Sequence, residues 1–463
     1  MSLINKYIEN QFNPFLLSKI HFDAVVYEKL IPPEFGKHFA DHVFFRIMYA
    51  YIVEVVKIVT RRSLRSWLYT FKDYDRLYSN KIVFYLTTQN NLRALQDVIE
   101  KVRSQRENVV VINKNNRYQY FPSVLMLIIS LLYIPTYLHV LRELSERDRR
   151  IAKYFVASFL FAPGYTWFYY KLLGRCRPEC FVMANDHGHD KRSLMYICAE
   201  HGINTIYTQH ASVSYAFPPL STSFSFLDGL DAFEKYTANE KTPSGIVILL
   251  GACRYDRLSR YRLTRRKEKR NCIGIAVNRM DDNKKVDDLC NHLLNHFPNL
   301  KIKVRTHPAM KNHPFSFTNK DRIIYTCASD EPMVEYLDSI DVQISNDSGV
   351  HLDTILGGVP TICYNMSRNR FGDNYGYVNS GLLYLAKDFD ELITFIARDG
   401  NQLIEIENVR KYDASYGTFY SGKCSEMIAD FIVHGYDFCY FTKKYGFSLK
   451  SIGVNKYYIT NNE

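Results

Sequence analysis

At 463 residues the chain exceeds what one compact core accommodates and matches the length of two doubly wound domains. With 47% hydrophobic and 23% charged residues it has the composition of a folded globular chain, which excludes wholesale disorder. The net charge of +11 gives a basic surface that attracts phosphates, which leaves nucleic acid, anionic lipid and nucleotide substrates all open.

Ten cysteines are scattered through the chain, and Cys198, Cys272 and Cys363 lie in apolar runs, as reduced core thiols of a cytosolic protein would. Cys176 and Cys180 are the only close pair; no matching His or Cys cluster follows, so no zinc site is expected. The residues after Met1 form no basic segment ahead of an apolar core, so secretion is not expected.

Residues 1–80 mix aromatic and basic residues, with Arg61, Arg62 and Arg65 beside Trp67, and read as a helical lead-in able to rest on an anionic membrane. From Lys81 a strand over Ile82 to Leu86 leads through a polar loop into a helical period at Leu92, Leu95, Val98 and Ile99. A strand over Val109 to Ile112 follows. The apolar run Phe121 to Leu141 reaches the ~20 residues of a membrane span, but Pro122, Tyr133, Pro135, Tyr137 and His139 make it a buried or interfacial helix pair. Strands over Phe181 to Ala184 and Thr205 to Thr208 flank a helix from Arg192 to Glu200, and this alternation predicts a parallel sheet.

Arg262 to Arg270 holds six basic residues and almost nothing apolar, so the boundary between domains 81–262 and 271–440 is placed there. The second domain alternates again. Its strands are Cys272 to Val277, Ile302 to Arg305, Val342 to Ser345 and Thr361 to Tyr364, and its helices Val286 to Phe297, Pro332 to Tyr336 and Val350 to Leu356. The expected architecture is α/β, two Rossmann-like domains facing a central cleft, with the last helices crossing back to the first domain. The tail 441–463 is expected to fray from Asn455 onward.

Chemistry-bearing residues cluster after predicted strands, where open parallel sheets bind ligands. Ser345, Asn346, Asp347, Ser348 and Gly349 end a strand and open a helix, an arrangement suited to a phosphate. Arg305, His307 and Pro308 follow another strand of the same domain; Arg305 adds fixed charge, and His307 can donate to a phosphate oxygen of a leaving nucleotide. In the first domain, Asn185-Asp186-His187-Gly188-His189-Asp190 supplies carboxylates and imidazoles for acid–base work, Asp186 foremost, although Asp186 and Asp190 would also serve as helix caps. Gln209 and His210 follow the next strand, and Arg254 with Asp256 end the domain, either paired with each other at a hinge or lining the cleft. There is no Walker sequence, GxGxxG, GxSxG or HExxH, and no nucleic-acid-binding module.

Together, the His-Pro pair, the later serine motif and the upstream acid-Gly loop resemble bacterial sialyltransferases and Kdo transferases, from about Lys81 to Phe431. The resemblance implies a GT-B glycosyltransferase. It implies that His307, Pro308, Ser345 and Ser348 hold the phosphate of a CMP-activated sugar and that Asp186 is catalytic, although His187 stands where those families have the acid-Gly junction. Asp228-Gly229 is a rival match. The series Gln209-His210, Gly251 to Asp256, Arg305 to Pro308 and Asn346 to Gly349 also resembles the CDP-glycerol and CDP-ribitol phosphotransferases of wall teichoic acid synthesis, with Ala211 replacing their glycine. The implied partners are a cytidine nucleotide donor and a lipid-linked or polymeric glycan acceptor of the bacterial surface, with no cofactor, no metal and no nucleic acid. A non-catalytic subunit of an assembly complex is the remaining alternative. The expected location is cytoplasmic, peripheral to the inner membrane.

Overall fold

The computed structural model describes residues 31–60, 71–113, 115–116, 120–213, 215, 217–238, 242–265, 271–310, 320–367, 371–397, 405–451 and 457–461. The Arg61, Arg62, Arg65 and Trp67 cluster, the first thirty residues of the lead-in and 266–270 of the basic segment lie outside them. Two compact units result. One comprises Met1–Leu227, Asp231–Leu250 and Glu426–Glu463, the other Asp228–Leu230 and Gly251–Ser425.

In the first unit, β1 (Ile82–Leu86), β2 (Val109–Asn113), β3 (Cys180–Met183), β4 (Asn204–Thr208), β5 (Phe224–Leu227) and β6 (Ile246–Leu249) run parallel in the order β2-β1-β3-β4-β5-β6. β1 and β3 are buried along their whole length, as strands covered on both faces must be, and so read as unbroken apolar runs. Thr88 starts the helix Gln89–Arg103 by accepting from the Asn91 N–H, one of the donors a helix start leaves unpaired. Four helices are inserted between β2 and β3: Ser123–Leu132, Ile134–Glu143, Glu146–Tyr154 and Val156–Leu173. The first two form the expected pair, bent by 48°.

The second unit carries β7 (Cys272–Val277), β8 (Lys301–Thr306), β9 (Ile323–Cys327), β10 (Val342–Ser345), β11 (Thr361–Tyr364) and β12 (Leu385–Ala386), all parallel, in the order β12-β11-β10-β7-β8-β9. The helix Asn283–His296 starts at Asp282, whose carboxylate accepts from Lys284 and Lys285 N–H. Its apolar face, Val286, Leu289, Leu293 and Leu294, packs on Ile273, Ile275, Ile302 and Val304. Cutting one of these leucines to alanine would cost ~2–5 kcal/mol.

The chain then returns to the first unit, where β13 (Phe447–Ser451) and β14 (Tyr457–Asn461) pair antiparallel and β14 aligns parallel with β6, Tyr458 against Val247. The expectation of a fraying tail is corrected here: β6 would otherwise present an open edge, and pairing satisfies its backbone donors and acceptors. The expected boundary also differs. The helix Asp256–Thr264 runs into the basic segment, and Arg265 donates to the carbonyls of Gly358 (2.9 Å) and Ile340 (3.1 Å) of the second unit.

Strand order fixes where each unit can hold a ligand. The strand order of the first sheet reverses between β1 and β3, that of the second between β7 and β10. Beyond the carboxyl ends of such neighbouring strands the crossovers diverge to opposite faces and leave a crevice.

Candidate active site

The loop after β3 stands at the reversal of the first sheet. Asn185 accepts from the His187 N–H at 2.9 Å and turns the chain so that His187 comes back over Asp186. His187 Nδ1 lies 2.7 Å from Asp186 Oδ1, and Arg192 reaches the other oxygen at 3.8 Å. Asp186 is 1% exposed and His187 23%, so the imidazole is the member of the pair that meets solvent. Burial alone would raise the Asp186 pKa, but His187 and Arg192 outweigh it and hold the carboxyl below its ordinary range. Phe217 packs edge-on against the His187 ring at 4.1 Å, and Arg192 is fixed by Ser221 Oγ at 2.9 Å.

Neither acid caps the following helix: its N-cap is Gly188, with no side-chain cap. Asp190 accepts from Tyr85 Oη of β1 at 2.5 Å and lies 3.6 Å from Lys191, so it ties the two strands that flank the crevice. A Cβ on Gly188 would stand 2.2 Å from Asp190 Oδ1, which explains the glycine. Just past β4, Gln209 is buried and donates to the Ala211 carbonyl at 3.0 Å, and His210 is partly buried.

The hinge residues are committed to structure. Arg254 does not pair with Asp256, as one sequence reading had it; it makes a two-pronged pair with Asp228, one prong at 2.9 Å, over the Tyr255 ring. Asp256 is buried and accepts from Cys424 N (3.0 Å) and Ser425 N (2.7 Å), so it fastens the segment through which the chain leaves the second unit rather than facing an acceptor. The rival acid Asp228 is held by Arg254.

At the reversal of the second sheet, Asn346 of the β10 loop donates to Asp281 of the β7 loop at 2.9 Å. Beneath it, buried His351 bonds the Asn346 carbonyl through Nε2 (2.9 Å) and Thr361 through Nδ1 (2.6 Å). Burial lowers the His351 pKa to about 4, so the ring is neutral at physiological pH, donating from Nε2 to the carbonyl and accepting the Thr361 proton at Nδ1. Asp347 accepts from Asn374 Nδ2 at 2.7 Å. Ser348 and Gly349 are partly exposed, and the Ser348 hydroxyl accepts from Val350 N at 3.4 Å at the start of a helix of only seven residues.

Two expected phosphate ligands are turned elsewhere. Ser345 donates to the Ala276 carbonyl of β7 at 2.9 Å and is buried. Arg305 is buried too, bonded to the Glu331 side chain at 3.1 Å and its carbonyl at 2.9 Å, and lies over Tyr336. Both sit inside strands, and side chains of buried strands must find partners within the fold. His307 and Pro308, one step past the end of β8, are exposed. The sequence reading missed Asp281, His351, Asn374 and Glu331. Only Asp281 had a signal, its place just after a predicted strand.

No family model matches the sequence, and no curated protein does. Solved structures similar in fold include a variant of the wall teichoic acid polymerase TagF, at 12% identity over 83% of this chain and 96% of that one with a TM-score of 0.48. The glycotransferase of kitacinnamycin is similar at 11% identity, over 77% and 99%, with a TM-score of 0.46. UDP-GlcNAc 2-epimerase from Neisseria meningitidis, bound to UDP-GlcNAc, is similar at 14%, over 76% and 100%, with a TM-score of 0.43.

Proposed function

We propose that this chain is a glycosyltransferase that moves a sugar from a nucleotide donor, a CMP-activated sugar of the sialic acid or Kdo type, to a bacterial surface glycan. The observation that carries the reading is the position of the two motif loops. The Asp186 loop stands at the strand reversal of one sheet and the Asn346 loop at that of the other, where doubly wound sheets hold ligands. The choice of cytidine rests on the resemblance carried by His307-Pro308 and Ser345 to Gly349.

In this reading the second unit holds the donor, with the nucleotide against the Asn346–Asp281 bridge and its phosphate against Ser348, Gly349 and His307. The proton acceptor in this reading is His187. His187 Nε2 takes the proton of the acceptor hydroxyl; Asp186, behind it, stabilises the imidazolium that forms. The hydroxyl oxygen bonds to the anomeric carbon, the bond from that carbon to the phosphate oxygen breaks, and the nucleotide leaves with the electron pair. His307 stabilises the departing charge.

The test is incubation with CMP-Kdo, CMP-sialic acid, CDP-glycerol and UDP-N-acetylglucosamine in turn, following nucleotide release with a lipid-linked oligosaccharide acceptor. Release of CMP that depends on acceptor supports the reading. Preference for CDP-glycerol makes the chain a polyol phosphotransferase, preference for the uridine donor removes the cytidine assignment, and release from none removes the function.

A further inference from the structure

The helix Val43–Thr60 is apolar on two opposite faces. One face, with Ile47 and Ala50, packs on Tyr133, Tyr137, Val156 and Phe159. The other carries Met48, Tyr49, Ile52, Val55, Val56 and Val59, each between 45% and 69% exposed. At 100° per residue these six fall within about 120° of the helix circumference, a single stripe. The three charged residues of the helix lie off that stripe: Arg46 is bound to the carbonyls of Lys153 and Tyr154, and Lys57 pairs with Glu54 at 3.1 Å. A second apolar face on a helix calls for a core or lipid to cover it, and this helix has a core on one face only.

The sequence that follows the helix, and the helices packed with it, identify the occupant of the stripe. The sequence continues with Arg61, Arg62, Arg65 and Lys72 before the next acid, Asp73. The helices Ser123–Leu132 and Ile134–Glu143, in the same helical layer, expose Ile128, Leu131, Leu132 and Leu138. A protein partner would suit the apolar stripe, but a stripe without charge followed by an uncompensated basic run is the composition that binds an anionic bilayer: the apolar face enters the acyl boundary while arginines meet the headgroups. Among the described residues no single helix is long and apolar enough to cross a membrane. We infer that the helix Val43–Thr60 lies in the plane of an anionic lipid surface and seats the first unit there, so that a lipid-linked acceptor is met at the membrane.

The experiment is co-sedimentation of the full chain with vesicles of phosphatidylcholine alone and of phosphatidylcholine with one third phosphatidylglycerol. The parent should pellet with the anionic vesicles and be released by salt. Ile52→Asp with Val56→Asp, both at exposed positions, should fold with an unchanged melting temperature and lose binding by an order of magnitude or more. Arg61→Ser with Arg62→Ser and Arg65→Ser should lose the preference for phosphatidylglycerol. Failure of the parent to bind anionic vesicles overturns the inference, as does unchanged binding by the aspartate variant. If instead the parent is a dimer in lipid-free ultracentrifugation and the aspartate variant a monomer, the stripe is an interface between copies and the inference falls.

Discussion

His187 Nδ1 sits 2.7 Å from the buried Asp186 carboxylate, with the imidazole on the solvent side of the pair. The carboxyl is held below its ordinary range and is ionised at neutral pH, so it presents a negative charge to the Nδ1 side of the ring. Asp186→Asn keeps the shape and removes the charge. It should cut transfer by roughly a hundredfold or more while nucleotide binding is unchanged. His187→Gln should do the same, and the double variant should be little worse than the poorer single one, because the two act as a unit. Steady-state kinetics of the three variants, beside nucleotide titrations, check this; wild-type transfer by folded Asp186→Asn would make the acid purely structural.

Asp413 is fully buried, bonded to Ser415 N at 2.9 Å, and pushed up to about 6 by burial and by the neighbouring Asp228. The folded state therefore holds this proton more tightly than the unfolded chain does. Its contribution to stability falls as pH rises from about 4 to about 6 and stays low above that. Asp413→Asn preserves the acceptor for Ser415 and removes the buried charge. It should raise stability by ~1–3 kcal/mol at pH 8 and change little at pH 4, seen in denaturant melts at both values.

The alternation of apolar runs and polar loops makes much of the fold legible: β1, β7, β10 and β11 begin and end where the sequence pattern places them. β14 is not legible, because its partner β6 lies far back in the chain and a short polar-flanked run carries no sign of that pairing. The same division holds at the site. Loops after strands can be located from pattern alone, whereas Arg305 with Glu331, or Ser345 with Ala276, are matters of which side chain finds which partner after packing. His187 was visible only as a neighbour of Asp186; the turn made by Asn185 is what brings its ring back over the acid.

His351 gives the second unit a sensitivity of opposite sign. Its pKa is about 4 when folded against an ordinary 6.5, so the unfolded chain takes up the proton first as acid is added. Stability from this group is complete above about 6.5 and is lost as pH falls toward 4. Thermal melts between those values should show the loss. His351→Gln should be less stable at pH 7, by about 1–3 kcal/mol for imperfectly paired buried groups, and should show a shallower acid dependence.

The bridge from Asn346 to Asp281 spans the reversal of the second sheet, and its disruption should be felt in ligand binding more than in folding. Asn346 contributes two separate contacts: its side chain reaches Asp281, and its carbonyl is held by His351. Asn346→Ala removes only the first, so the loop stays anchored from below. The Asp281 carboxyl, whose pKa burial already raises, then loses a donor, and the expected cost in stability is ~1–3 kcal/mol. If the nucleotide rests on this bridge, CMP should raise the melting temperature of the parent more than UMP or GMP does, by mass action on the folded state. That increment should shrink in Asn346→Ala and in Asp281→Ala alike, and the double variant should lose no more than either, since both remove one contact. A full CMP-induced shift in Asn346→Ala would move the nucleotide away from this crevice while leaving the fold as described.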